Sequence, residues 1–128
     1  MASEKFRIYY PKSKAEMRRW TSEYGMNAYY AGKHWAKRKA DAEFWHLMTR
    51  SAMNKQEVRR KPFTKPVEIS FLWNDKLDID NHAIMGKMIV DAMKGIIIND
   101  DNRAWLKGVC HYFHNEEYIL VQIREVES

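Results

Sequence analysis

Two short acidic stretches hold the residues best able to do chemistry. In Leu77-Asp78-Ile79-Asp80-Asn81, two aspartates stand two positions apart. If that segment is extended, residues two apart point the same way, and the spacing aims two carboxylates at one spot. Carboxylate oxygens suit Mg²⁺ or Mn²⁺, which keep several waters and take one or two protein carboxylates plus substrate phosphate. Such a site stays open, as hydrolysis requires. A capping role competes with this reading, because an aspartate ahead of a helix accepts free backbone N–H groups and suits the helix dipole. The two readings are compatible, since a capping carboxylate can still present an oxygen. The second stretch, Asn99-Asp100-Asp101-Asn102, follows the apolar run Ile96-Ile97-Ile98. Asn and Asp favour turns through local hydrogen bonds, so a turn is its plain reading. Paired carboxylates beside an apolar run are also candidate ligands.

The charge distribution gives these acids a context. The formal net charge is +5, yet six of the seven Asp fall between Asp75 and Asp101. That window holds three Lys and no Arg or Glu, a net −3, which leaves +8 on the rest of the chain. A basic body attracts a polyanion by counterion release. An acidic cluster on it would repel the same polyanion unless a divalent cation neutralised it. Ordinary solvated acidic turns would account for the charges equally well.

The elements that must position these acids follow from periodicity. With 128 residues, 45% of them hydrophobic, and 17 aromatics, the chain fits one domain, residues 1–128, with a packed core. Residues 5–10 read as a strand and residues 11–31 as mixed. Residues 32–54 read as a helix, with Ala36, Ala40, Phe44, Leu47 and Met48 at helical spacing. Residues 55–65 form a flexible-looking basic connector. In residues 66–74, Val67, Ile69, Phe71 and Trp73 alternate with polar residues as in a half-buried strand. A second helix is expected over residues 80–94, with Gly95 as its stop. Strands are expected over 104–113 and 117–126, joined at Asn115-Glu116. The order β-α-β-α-β-β points to an α+β fold: a mixed or antiparallel sheet of about four strands with two main helices. The single cysteine allows no internal disulfide, and the start of the chain lacks a signal-peptide pattern. A soluble, cytoplasmic protein is the expectation.

From Asp78 to Asp101 the chain reads D-I-D-N-x5-K-x3-D-A-M-K-G-I-I-I-N-D-D. This resembles the signature of the RusA family of Holliday-junction resolvases, in which D-L-D-N opens a helix carrying Lys and D-A-L, and a D-D pair follows. Asn27-Ala28-Tyr29-Tyr30 with His34-Trp35-Ala36-Lys37-Arg38 resembles the family's early segment. Leu106-Lys107-Gly108-Val109 and the last strand resemble its terminal hairpin, so the resemblance covers about residues 25–126. It implies a Mg²⁺-dependent homodimer, with Mn²⁺ as a substitute, that resolves four-way DNA junctions by paired nicks leaving a 5′-phosphate and a 3′-hydroxyl. It implies that Asp78 and Asp80 bind metal, that Asp101 is the third catalytic aspartate with Asp100 its neighbour, and that Lys87 supports catalysis or grips phosphate. A phage or mobile-element origin also follows from it. The pattern departs at Lys87, which lies six residues past Asn81 as if three residues were inserted. At i+7 it still shares a helix face with Asp80, and His82 competes for its position.

Other residues complete the reading. Lys37, Arg38 and Lys39, with Trp35 beside them, and Arg59, Arg60 and Lys61 are candidate DNA contacts; solvated surface, with Trp35 in the core, is the alternative. Asp91 reads as structural. Cys110, His111 and His114 do not make a zinc site, because neighbours on a strand face opposite ways, and Cys110 is expected to be a small buried hydrophobe. No membrane and no small-molecule cofactor are expected. The helix over 80–94 spans roughly 22 Å at 1.5 Å per residue. Asp101 must therefore return over residues 95–100 or meet Asp80 of the partner subunit. A non-catalytic, structure-selective DNA-binding protein and a nuclease of broader taste for branched nucleic acid are the rival functions.

Overall fold

The computed structural model describes residues 2–127. Its elements are β1 (Ser3–Tyr9), α1 (Lys14–Tyr24), α2 (Met26–Tyr30), α3 (Trp35–Lys55), β2 (Val67–Trp73), a 3₁₀ turn (Ile79–His82), α4 (Ala83–Met93), β3 (Leu106–Phe113) and β4 (Tyr118–Glu125). The sheet is mixed, in the order β1-β4-β2-β3, with β2 parallel to β3 and β4 antiparallel to both β1 and β2. This is the expected α+β architecture.

The alternation in β2 does what its sequence dictates. Val67, Ile69, Phe71 and Trp73 are buried, while Glu68, Ser70 and Leu72 face the open side. Phe6 and Ile8 of β1 and Ile119, Val121 and Ile123 of β4 join the same buried layer. One face of the sheet thus meets the helices and the other meets solvent. α4 lies deepest, with Met85, Gly86, Met88, Ile89, Val90, Ala92 and Met93 all buried. It packs against α3. Gly95 adopts φ +77° just past its end, a left-handed conformation that suits glycine and turns the chain.

Several expectations are corrected. Residues 11–31, read as mixed, form α1 and α2. Trp20 and Tyr24 of α1 pack with Trp45 of α3 in an aromatic cluster of edge-to-face and tilted rings, 4.8–5.4 Å between centroids. α3 buries Asp41, Trp45, Thr49 and Met53, whereas Leu47 is 73% and Phe44 45% exposed. The buried stripe is thus displaced from the anticipated one. It includes polar Asp41 because Lys33 pairs with it and the Tyr29 hydroxyl donates to it at 2.6 Å. The basic connector is anchored, with Val58 and Phe63 buried. Cys110 is exposed, because it lies on the solvent side of β3, an edge strand.

β3 and β4 do not form a hairpin. β2 lies between them, so the four residues 114–117 cross the end of β2. Two strand spacings are about 9.6 Å, and four extended residues span roughly 13 Å, so the crossing is feasible. The His114 N–H donates to the Trp73 carbonyl at 3.0 Å, and the Asn74 side-chain amide donates to the Glu116 carbonyl at 2.9 Å. These bonds fasten the crossing to the strand end from which the acidic loop departs.

Candidate active site

The acidic loop leaves β2 at Trp73 and reaches α4 through the 3₁₀ turn. Asp78 is extended and sits at the cap position without a side-chain capping bond; the Asn81 N–H instead donates to the Asp78 carbonyl at 2.9 Å. Asp80 is the second residue of the turn, so the segment is not extended through it and the two-apart argument for a shared direction does not apply. Both residues are exposed. Leu77 packs inward against the core, which leaves the neighbouring acids facing out.

Asp101 lies at the other end of α4. The chain doubles back through Gly95, whose N–H donates to the Ile98 carbonyl at 2.7 Å. Lys94 then bridges Asp101 at 3.2 Å and Asp91 at 3.2 Å. Partial burial raises the cost of the Asp101 charge, but the Lys94 ammonium, the Asp100 contact and its own backbone N–H outweigh this and hold its pKa below the usual carboxylate range. The Lys94 ammonium is correspondingly raised. Asp100 is committed to the turn, accepting from the Asp101 N–H at 2.8 Å and the Asn102 amide at 3.3 Å.

Lys87 is 68% exposed and pairs loosely with Asp91 at 3.6 Å. Asp91, read as structural, pairs with both Lys87 and Lys94. A groove of about 300 Å³ follows α4, with Ala83, Gly86, Lys87 and Val90 on one wall and Asp101, Leu106, Val109 and His111 on the other. It brings Lys87 and Asp101 together and ends at Ala83, three residues past Asp80. Among the described residues no three His, Cys, Asp or Glu side chains are grouped to hold a metal ion. The donors nonetheless have the right chemistry: oxygen-only ligands on an exposed loop, with Asp78 uncommitted as a cap, suit a hard cation that completes its shell with water and phosphate.

Three participants were not foreseen. Lys94 was legible in principle, since Lys87, Asp91 and Lys94 at i, i+4 and i+7 share one helix face. His111 is partly buried and accepts from the Trp73 indole N–H at 2.9 Å. Burial and nearby His82 lower its pKa. The third is Asp75, which no periodicity marks; His82, weighed as a competitor for the Lys87 position, is instead buried against Asp75 and leaves that role to Lys87.

Of the candidate DNA contacts, Lys37, Arg38 and Lys39 are exposed on the first turns of α3, and Trp35 beside them is 70% exposed, outside the core. Arg38 also donates to the Tyr29 carbonyl at 3.1 Å. In the connector, Arg59 is held over the Phe63 ring at 4.0 Å, Arg60 bonds to Asn54, and Lys61 is exposed. No helix is long and apolar enough to cross a membrane among the described residues.

A small mixed-sheet domain that presents exposed aspartates and a lysine-lined groove on a basic body has the makings of an enzyme acting on nucleic acid. The family model for endodeoxyribonuclease RusA matches residues 1–124, and the chain belongs to that family. No curated protein matches it. Membership makes it an endodeoxyribonuclease of the Holliday-junction-resolving kind, acting on branched DNA.

Proposed function

We propose that the chain is a Mg²⁺-dependent homodimeric resolvase that cuts four-way DNA junctions by paired symmetric nicks in recombination and repair. The family match over residues 1–124 carries this reading, because it spans both acidic stretches and the helix between them. Asp78 and Asp80 would hold Mg²⁺, or Mn²⁺ in its place, with Asp101 the third ligand and Asp100 its neighbour. When bound, such an ion lowers the pKa of a water and neutralises charge on the scissile phosphate. Lys87, in the groove with Asp101, supplies positive charge where the phosphate gains negative charge in the transition state. Asp91 and Lys94 fix the Lys87 and Asp101 ends of that groove.

Lys37, Arg38, Lys39, Arg59, Arg60 and Lys61 serve the backbone of the DNA arms, where phosphate contacts position without reading sequence. A two-fold dimer matches the approximate two-fold symmetry of a junction and sets one site on each of two like strands. Lys94 holds Asp101 at the end of α4 opposite Asp80, which suits a site completed across the dimer as well as one built within one chain.

The test is cleavage of a labelled four-way junction in Mg²⁺ beside linear and forked duplexes, for the parent and Asp80→Asn. Paired symmetric nicks by the parent, absent in a variant that still binds, are expected. Binding without cleavage in either Mg²⁺ or Mn²⁺ would replace the reading with a structure-selective binder. Equal cutting of every substrate would leave a broader nuclease.

A further inference from the structure

The loop that carries Asp78 and Asp80 is gripped from inside by two side chains to which the proposed reaction assigns no role. Asp75 precedes the loop and His82 closes it, and both side chains are 0% exposed. His82 Nε2 lies 2.8 and 2.9 Å from the two oxygens of Asp75, and Nδ1 lies 3.0 Å from the Ile79 carbonyl. The Ile79 carbonyl can only accept, so Nδ1 donates to it, and Nε2 faces the Asp75 carboxylate. Asp75 also accepts from the Leu77 N–H at 3.0 Å and the Tyr10 hydroxyl at 3.2 Å. Trp73 packs on the His82 ring at 4.5 Å between centroids.

The decisive detail is which carbonyl His82 holds. Ile79 stands between Asp78 and Asp80, and its carbonyl belongs to the peptide leading into Asp80. The imidazole therefore fixes the backbone between the two candidate ligands, while Asp75 fixes the imidazole and the start of the loop. A loop that needed only to connect β2 to α4 would gain little from two buried polar side chains, each of which must find its partners to offset lost hydration.

We propose that Asp75 and His82 are a positioning pair that sets the directions in which Asp78 and Asp80 approach a divalent cation. This rests on the reading of those two aspartates as metal ligands, and the test separates the two. Mn²⁺ alone is titrated into the full chain, with free Mn²⁺ followed by electron paramagnetic resonance, for the parent, Asp75→Asn, His82→Gln and Asp80→Asn. Thermal melts and metal-free junction binding are recorded for each. Asp75→Asn and His82→Gln are expected to weaken Mn²⁺ at least tenfold while melting cooperatively and binding junction within twofold of the parent. Parent-like Mn²⁺ affinity in both, with Asp80→Asn weakened, overturns the positioning pair and leaves the ligand reading intact. Loss of the cooperative melt in both also overturns it, because the pair would then be a folding element. A parent that binds no Mn²⁺, or Asp80→Asn binding as tightly as the parent, removes the ligand reading itself.

Discussion

At the scale of single residues, Asp101 shows how a neighbour sets a carboxylate's state. Lys94 contacts it at 3.2 Å with both side chains about one-third exposed, so solvent screens the pair and its contribution to stability is small. Its effect on protonation is more visible, since Asp101 is held below the usual carboxylate range. Replacing Lys94 by Met removes the main opposing influence and leaves the cost of burial, so the Asp101 pKa should rise to the ordinary range or above. Carboxyl-carbon NMR titration reads this directly. A depressed pKa contributes stability above the unfolded value, and that contribution is lost as pH falls through the folded value. Lys94→Met should therefore flatten the acid limb of the stability curve slightly, with a change at neutral pH under about 1 kcal/mol.

At the scale of elements, the approach of α4 to the sheet is tightest at Gly86. A methyl group there would meet His111 Cε1 at 3.1 Å and the Phe71 ring at 3.4 Å. Neither can move aside easily: Phe71 is fully buried and the His111 ring is held by the Trp73 indole. Alanine gains up to about 1 kcal/mol of helix propensity over glycine, and overpacking costs about 1–3 kcal/mol. Gly86→Ala should therefore destabilise by roughly 1 kcal/mol, read as a lower midpoint in urea with an unchanged slope. The same contact shows what was legible beforehand. The β2 alternation was plain, because a strand's own period records which face it buries. Strand neighbours are not recorded that way. The short link over residues 114–117 read as a hairpin although β2 separates β3 from β4. α3 misled for a related reason, because its buried face includes Asp41, satisfied by Lys33 and Tyr29 from outside the helix. The acidic motif was visible as residue types, but its support by Asp75 and His82 depends on a closed loop that spacing alone does not disclose.

At the scale of the whole molecule, two internal carboxylates tie the N-terminal segments to the rest of the chain through tyrosine hydroxyls. Asp75 accepts from Tyr10 at the end of β1, and Asp41 accepts from Tyr29 of α2. Burial first, and then the charge of Asp75, pushes the Tyr10 phenol far above its ordinary pKa near 10. Burial and Asp41 raise Tyr29 likewise and carry Tyr24 up to about 12. Between pH 10 and about 12 the unfolded chain releases phenolic protons that the folded chain keeps, so stability falls as pH rises through that window. Below pH 10 both states hold those protons and the contribution is fully present. An alkaline titration followed by phenolate absorbance and far-ultraviolet circular dichroism should show Tyr10, Tyr24 and Tyr29 ionising only as helix signal is lost. Full phenol ionisation near pH 10 with the fold intact would mean that these hydroxyls are open to water and do not fasten the N-terminal segments to the carboxylates.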